Sequence, residues 1–576
     1  MSNRKKDIKG SAPDVRVCGN CQSPEGSDGA LKLSACARCG LVAYCSKDCQ
    51  RAHWKISHKP HCVAKIDRSP QQLQYDASKY RNSATLKAAA AEEECIICLD
   101  SLNKAPITKL KCTHVFHAEC VEELRKFGVK QACPLCRSPL PAGPEQLNEE
   151  ATRRYLVIGR QVAQGKASWS SLSPALQREI GEVIAGWRSA ADQDFALAQY
   201  NLGLMFMHGR GVKQSDVEAA RLWKKSAAQG FSVAQLKFGF MCQEGRGTAK
   251  SDAEAAFWYK KAADQGNAEA QRGLGSLYEL GRDLPQSDVE AARWYKKAAE
   301  QGDAEAQASM GSFSLLGRGH VAKDYFKAVF WFKKSANQGI ADSQCNLGIL
   351  SQEGRGTAKS DVEAAFWYKK AADQGSAQAQ CNLGCLYRSG RGVVQDDVEA
   401  VKWYKKAAEQ GDAAAQVNLG FYFKAGRGGV TQSDAEAAHW YKMAADQGHA
   451  QAQLSIGFMH QHGRGVAKSD SEAVKWFKKA AEQGNAAAQA KMGFYFENGG
   501  GGVLQSDMKA AQWYKKAASQ GDPNGQAYLG RLFLEGRGVT RSEVEARRWL
   551  QKAAEQQHPL ALAVLPSIKG NGRGVV

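Results

Sequence analysis

The stretch "NAEAQRGLGSLYELGRDLPQSDVEAARWYKKAAEQG", residues 267–302, decides the fold of most of this chain. Its first half places Ala270, Leu274 and Leu277 three or four residues apart, so these side chains share one face of a helix. Its second half sets Trp294 among small alanines, which allow helices to approach closely while the indole fills the gap between neighbours. The stretch therefore predicts two short helices that pack together.

The ends of the second helix are marked in the same stretch. "SDVE", Ser287–Glu290, matches a capping box, in which the serine accepts a hydrogen bond from the backbone and the glutamate returns one. Gly302 suits the left-handed position that follows a helix. The same box recurs at Ser215, Ser251, Ser360, Ser433, Ser469 and Ser542.

The two-helix unit repeats along the chain. The turn "GRG", or a close variant, begins every 36 or 37 residues, at Gly209, Gly245, Gly281, Gly317, Gly354, Gly390, Gly426, Gly463, Gly499, Gly536 and Gly572. A fixed period of this length indicates an α-solenoid. About ten units cover residues 195–557, a terminal half-unit covers 558–576, and "WRSAADQD" indicates a degenerate capping repeat within the connector 141–194.

This unit resembles the Sel1-like repeat, a relative of the tetratricopeptide repeat. The resemblance implies a mostly α protein with a long concave surface that binds proteins or peptides. Two units depart from the pattern: the fourth has "GRGHVAKDYFKAVFWF" without the serine box, and the ninth has "GGGGV" at Gly499–Val503 and Lys509 in place of glutamate. We expect looser or bent joints there. The pair Cys381 and Cys385 is expected to pack in the core.

The other cysteines indicate metal binding. The chain has 17 cysteines, and 13 of them precede residue 137, mostly in pairs separated by two residues. The amino-terminal segment has no apolar core of a secretory signal, so an intracellular protein is expected, in which disulfides are rare. Two thiolates at this spacing can turn back onto one ion, as a tetrahedral zinc site requires.

Four pairs of cysteine or histidine donors lie between residues 95 and 136. The segments "CIIC", "CTH", "HAEC" and "CPLC" supply eight donors for two zinc ions: Cys95, Cys98, Cys112, His114, His117, Cys120, Cys133 and Cys136. Their spacing resembles the RING finger in its two-histidine variant, over residues 92–140. The family's cross-brace implies that one ion is held by Cys95, Cys98, His117 and Cys120. The other is then held by Cys112, His114, Cys133 and Cys136.

The RING resemblance implies a function in ubiquitin transfer. Such fingers recruit a ubiquitin-conjugating enzyme and hold its thioester in a reactive pose, without a covalent intermediate of their own. The matching partner-binding positions are Ile97, Leu124, Pro134, Leu135 and Arg137. Arg137 corresponds to the linchpin arginine, and Leu124 stands where many RINGs have tryptophan. No nucleophile–base pair or dinucleotide motif indicates a catalytic residue on this chain.

A second cluster precedes the RING-like segment. Its donors, Cys18, Cys21, Cys36, Cys39, Cys45, Cys49, His58 and Cys62, resemble the MYND zinc finger over residues 18–62, with "YCSKDCQ" and Trp54 as markers. His53 and His61 are nearby alternatives to His58, which the spacing favours. The resemblance implies that Cys18, Cys21, Cys45 and Cys49 hold one ion and the other four donors a second. It also implies that the finger binds proline-rich peptides. Residues 1–17 are expected to be a basic disordered tail and 63–91 a linker.

The sequence thus predicts four structural zinc ions, because sites closed by four protein donors leave no position for substrate. Zinc-bound thiolates and the ions lower the formal charge from +19 to about +14. Without aromatic-rich strands or a recognition helix, this charge does not favour nucleic-acid binding, and no stretch is apolar enough to span a membrane. The leading hypothesis is a cytoplasmic or nuclear RING-type ubiquitin ligase whose solenoid holds the substrate. The alternative is a scaffold without catalytic function.

Overall fold

A computed structural model of the chain describes residues 34–35, 43–44, 94–95, 100–102, 107–110, 112–127, 132–133, 135–136, 138 and 140–568. Within these residues it confirms the predicted α-solenoid, with ten helix pairs that follow a longer capping hairpin. Within these described residues, those up to residue 229 and those from residue 230 onward form two compact units. No helix in the described residues is long and apolar enough to cross a bilayer.

The helices of the first compact unit are α1 Ala118–Phe127, α2 Pro144–Ala163, α3 Pro174–Ala191, α4 Ala196–His208 and α5 Asp216–Ala228. Those of the second are α6 Ser232–Glu244, α7 Asp252–Asp264, α8 Ala268–Leu280, α9 Asp288–Glu300, α10 Ala304–Leu316, α11 Tyr325–Asn337, α12 Ala341–Glu353, α13 Asp361–Asp373, α14 Ala377–Ser389, α15 Asp397–Glu409, α16 Ala413–Ala425, α17 Asp434–Asp446, α18 Ala450–His462, α19 Asp470–Glu482, α20 Ala486–Asn498, α21 Asp507–Ser519, α22 Pro523–Glu535, α23 Glu543–Glu555 and α24 Pro559–Val564, with a 3₁₀ turn at Leu565–Ser567.

Each repeat buries the face that the sequence predicts. In the third repeat Leu274 and Leu277 of α8 are fully buried, and so are Trp294 and Tyr295 of α9. Gly275 explains how the two helices come so close, because a Cβ atom placed there would lie 2.8 Å from the Tyr295 ring. In this repeat, small residues and the two large aromatic side chains of α9 therefore fill the core together.

The helix ends agree with the sequence in part. Gly281 and Gly302 have φ angles of +64° and +101°, the left-handed conformation that glycine adopts without strain. The Ser287 hydroxyl accepts a hydrogen bond from the Glu290 N–H at 3.3 Å, as predicted. The reciprocal half of the capping box was wrong, because the Ser287 N–H instead donates to the Tyr278 carbonyl of the preceding helix at 2.9 Å.

The arginine of the "GRG" turn connects consecutive repeats. The Arg318 guanidinium donates to both carboxylate oxygens of Asp288, at 3.0 and 2.7 Å, and Asp288 is the first residue of the preceding repeat's second helix. The same pairing joins Arg391 to Asp361, Arg427 to Asp397, Arg464 to Asp434 and Arg537 to Asp507. These planar, often bidentate pairs fix the turn against its neighbour.

The two departures from the repeat have different structural consequences. In the fourth repeat Asp324 replaces the serine, and its carboxylate accepts hydrogen bonds from the Phe326 and Lys327 N–H groups. In the ninth repeat Gly501 lies against the preceding repeat, where a Cβ atom would be 2.5 Å from Val474. Aspartate is an equally good cap, so the helix of the fourth repeat keeps a regular start. The turn of the ninth repeat differs locally, because Gly499 has φ at 74° and ψ at 179° where the other first helices end in a left-handed glycine.

The capping hairpin and the small strands precede the array. Helices α2 and α3 are longer than the repeat helices, and Trp187 of α3 is buried between them and the first repeat's core. Three two-stranded antiparallel sheets are formed by β1 Ser34–Ala35 with β2 Ala43–Tyr44, β3 Glu94–Cys95 with β4 Asp100–Ser101, and β5 Ile107–Lys109 with β6 Val115–His117. Strand β6 ends at His117 and leads directly into α1, whose first turn contains Cys120.

Candidate functional site

Four of the predicted donors converge on one point. The ligand atoms of Cys112, His114, Cys133 and Cys136 all lie within 4.8 Å of one another. The Nδ1 atom of His114 is 3.4 Å from the Cys112 sulfur and 3.6 Å from the Cys133 sulfur. Donors on a tetrahedral zinc ion are about 3.4–3.8 Å apart, so the two distances from His114 match a zinc site, and the four residue types fit the metal in chemistry.

Two backbone turns bring these donors together. In the loop between β5 and β6, the N–H of Thr113, whose φ is +70°, donates to the Leu110 carbonyl, and the Leu110 N–H donates to the His114 carbonyl, each at 2.8 Å. This tight turn carries Cys112 and His114. On the opposite segment the Cys133 N–H donates to the Ser138 carbonyl at 2.8 Å and curls the chain around Cys136. Donors from segments 20 residues apart thus share one site, as the cross-brace implied.

The thiols of Cys133 and Cys136 differ in environment. Burial raises the pKa of the Cys133 thiol to about 11. The hydrogen bond with the Ser138 hydroxyl, whose oxygen is 3.1 Å from the sulfur, lowers the pKa of the exposed Cys136 thiol to about 6. A divalent cation would favour the thiolate at both positions, so metal uptake at this site releases protons.

The other predicted RING ion is seen only in part. His117 is buried at the end of β6, and Cys120 is buried in the first turn of α1. The Cys95 backbone pairs with Asp100 in the β3–β4 sheet. Cys98 lies outside the described residues. The structure therefore describes two of the four side chains of this site, and both are buried.

The predicted partner surface is also described in part. Leu124 of α1 and Leu135 are half-buried against a core formed by Leu110, Phe116 and Val121. They contribute to this core and keep part of their surface exposed. The other three predicted partner-binding residues, Ile97, Pro134 and Arg137, lie outside the described residues. So do the eight MYND-like donors: Cys18, Cys21, Cys36, Cys39, Cys45, Cys49, His58 and Cys62.

The sequence did not predict the contacts of two residues that support the zinc-binding segment. The Ser138 hydroxyl contacts the Cys136 sulfur, as described above. Arg125 is buried, and its Nε donates to the Pro141 carbonyl at 3.1 Å, three residues before α2 begins. The arginine lies one helical turn after buried Val121, a spacing that could have indicated an inward-facing position. This contact links the RING-like helix to the capping hairpin.

Comparison with known proteins identifies three kinds of module. Residues 18–62 match the MYND finger family model and residues 93–137 the Ring finger domain. Ten consecutive segments from residue 196 to residue 558 match the Sel1 repeat. A solved structure described as c5321, a protective antigen present in uropathogenic Escherichia coli strains displaying an SLR fold, is 34% identical, with a TM-score of 0.59 over 67% of this chain and 82% of that one.

Curated relatives with E3 ubiquitin-protein ligase in their names match short segments of this chain. This chain is 43% identical over 56 residues to the probable E3 ubiquitin-protein ligase XERICO of Arabidopsis thaliana, and 45% identical over 51 residues to the E3 ubiquitin-protein ligase RHA2B of the same plant. The aligned parts are 10% and 9% of this chain and 34% of each relative. This chain therefore spans about a third of the length of these relatives.

Proposed function

This chain belongs to the Sel1 repeat family, and we propose that it is a RING-type E3 ubiquitin ligase whose repeat array holds the protein substrate. It carries zinc fingers of the MYND and RING types ahead of the array, so it binds zinc. The relatives of the RING segment are E3 ubiquitin ligases, which supports ubiquitin transfer at the level of that module.

The observation that carries the proposal is the convergence of Cys112, His114, Cys133 and Cys136. Donors from both sides of α1 meet at one site, and the helix packs on a core that includes Phe116. A finger closed in this way has no open metal position, so zinc supplies rigidity and no Lewis-acid chemistry. What the finger contributes is a fixed surface on which a charged conjugating enzyme can be held.

In the proposed reaction, the RING positions the ubiquitin thioester and restricts its freedom, so that a lysine attacks more readily. Ile97 would dock the conjugating enzyme together with Leu124, Pro134 and Leu135. Arg137 would bridge ubiquitin and the conjugating enzyme through its planar donors. No covalent intermediate forms on this chain in the proposed reaction.

The finer parts of the proposal concern metal count and partners. Four zinc ions are proposed, two in each finger, all structural. The array is proposed to bind a substrate segment, and the MYND finger a proline-rich peptide. A cytoplasmic or nuclear location remains a prediction.

A discharge experiment tests the ligase proposal. The zinc-loaded full-length protein would be mixed with a panel of ubiquitin-charged conjugating enzymes and free lysine, and thioester loss followed with time. We expect acceleration that is lost in Ile97→Ala and in Arg137→Ala and retained in Glu119→Gln, a change at an exposed position of α1. Absence of acceleration across the panel would favour the alternative, a scaffold that assembles protein complexes.

A further inference from the structure

Phenylalanines recur at one position on the first helices of three consecutive repeats. Phe421, Phe458 and Phe494 are each the ninth residue of their helix, in α16, α18 and α20. Phe421 is 44% exposed and Phe494 40% exposed, while Phe458 between them is half-buried. We call these three residues the aromatic ladder. The corresponding positions of the third and fourth repeats hold Ser276 and Ser312 instead.

One lysine lies directly on the ladder. The Lys491 Nζ atom is 4.9 Å from the Phe458 ring centre and 5.8 Å from the Phe494 ring centre. Burial lowers the pKa of its ammonium group. No carboxylate in the described residues lies within ion-pair distance of it. A half-buried cation between aromatic faces and without a counter-ion provides a favourable site for a carboxylate from a partner.

The helices that carry the ladder offer no negative charge to compete. Helices α16 and α18 contain no aspartate or glutamate. Helix α20 contains one, Glu497, which is buried and paired with both Arg531 and Arg537. The first helices of the third to fifth repeats differ in this respect, because they expose Glu269, Glu305 and Asp342.

We propose that the aromatic ladder and Lys491 form the docking site for an extended, acidic and hydrophobic segment of a substrate protein. The assignment of the segment to a substrate rests on the proposed ligase function. With packed helices about 9 Å apart, the ladder is about 18 Å long, the length of five or six extended residues. Apolar side chains of the segment contact the phenylalanines, and a carboxylate pairs with Lys491.

A single-stranded nucleic acid is the competing occupant, since it also combines negative charge with groups that stack on aromatic rings. It would require cations along the whole track to follow the backbone. Among the described residues, the one cation over the ladder rings is Lys491. The charge pattern therefore favours a peptide with few carboxylates and several apolar side chains.

Peptide selection tests the site with the full-length, zinc-loaded protein. The immobilised protein would be offered a pool of randomised dodecapeptides, and bound peptides would be sequenced. We expect enrichment of peptides that combine aspartate or glutamate with large apolar residues. A Phe421→Ala/Phe494→Ala double variant should bind the enriched peptides at least about tenfold more weakly. The matched control, Phe257→Ala/Phe366→Ala, removes two phenylalanines that are each 52% exposed on second helices, and should bind normally.

Changes at Lys491 test the charge preference separately. Lys491→Gln should weaken binding of the acidic peptides, and Lys491→Glu should shift the enrichment toward basic ones. The inference is overturned if the wild type enriches no peptides, or neutral or basic ones, or if the ladder variants bind as well as the control. Displacement of the enriched peptides by oligo(dT) would also overturn it, in favour of nucleic acid.

The test separates this inference from the ligase proposal. The ladder variants should discharge a charged conjugating enzyme onto free lysine at the wild-type rate, because that reaction needs the RING alone. If the wild-type protein selects acidic peptides but accelerates no discharge, the docking site is supported and the ligase proposal is not. The reverse result retains the ligase and removes this site.

Discussion

The side-chain amide of Gln410 donates a 2.8 Å hydrogen bond to the side-chain oxygen of Gln380, a glutamine buried in the core. Gln380 in turn donates to the Ala372 carbonyl of the preceding repeat at 3.1 Å. One amide thus satisfies groups in two repeats at once. The equivalent pairs are Gln229–Gln199, Gln265–Gln235, Gln301–Gln271, Gln338–Gln307, Gln374–Gln344, Gln447–Gln416, Gln483–Gln453, Gln520–Gln489 and Gln556–Gln526.

Gln380→Ala should destabilise the array locally. The change leaves the Ala372 carbonyl without its side-chain donor and opens a small cavity, at a cost of about 1–3 kcal/mol. Hydrogen exchange should show faster opening of α13 and α14 than in the wild type. Gln378→Ala is the matched control, since Gln378 is an exposed glutamine on the same helix. Equal protection in the two variants would contradict the linking role of Gln380.

Gly384→Ala should destabilise the sixth repeat, although alanine is the better helix former. A Cβ atom at this position would lie 2.8 Å from the Tyr404 ring, so overpacking costs about 1–3 kcal/mol and outweighs the helix propensity. Gly159→Ala in α2 provides the control, because a Cβ atom there meets nothing within 4 Å. We expect thermal unfolding to begin earlier in Gly384→Ala and no earlier in Gly159→Ala. A stabilised Gly384→Ala variant would show that the helices can move apart.

The sequence predicts the repeat well because its signals are local. Ser287, Gly302 and the Leu274 face follow from helix capping and periodicity, which depend on near neighbours. The role of Gln380 could not be derived in this way, although the glutamine recurs, because its partners lie 8 and 30 residues away and become neighbours only after the repeats stack. Arg318 recurs in the same way, and its partner Asp288 lies 30 residues earlier.

The four donors that converge in the second RING site were predictable for a different reason. Cysteine and histidine at paired spacing have few other uses in such a chain, and His114 and Cys133 meet as the resemblance implied. The supporting contacts were not predictable, because Ser138 and Arg125 are residue types that are common on surfaces. The aromatic ladder was missed since Phe421 and Phe494 occupy a position that varies from repeat to repeat, where periodicity gives no signal.

The Arg318–Asp288 pair should make stability depend on acid pH. Hydrogen bonds from Arg318 lower the pKa of the Asp288 carboxyl below its ordinary value. A carboxyl with a lower pKa in the folded state adds stability above the unfolded pKa of about 4, and this stability is lost as the pH falls through the folded pKa. Both side chains are about a third exposed, so the contribution stays below about 1 kcal/mol.

The measurement compares wild type and Asp288→Asn in urea at pH 7 and at pH 3. The wild type should be the more stable protein at pH 7, and the difference should shrink at pH 3, because the carboxyl of the unfolded chain, with a pKa of about 4, is then mostly protonated. Glu305→Gln, at an exposed position of α10, should leave the stability unchanged at both values. A difference that persists unchanged at pH 3 would show that the charge of Asp288 is not what Arg318 stabilises.

Cys133→Ser should remove zinc from the second RING site and unfold the small core around it. The Cys133 sulfur is buried beside Phe116, Val121 and Leu140, so the loss of the metal removes the link between the two turns that close this core. Elemental analysis of the wild type should return four zinc ions per chain, and the variant should return at least one fewer. The matched control is Cys381→Ser, at a cysteine that is equally buried within the array. It should retain all four ions while it destabilises its own repeat. An unchanged zinc content in Cys133→Ser, or an equal loss in Cys381→Ser, would contradict the assignment of the donors.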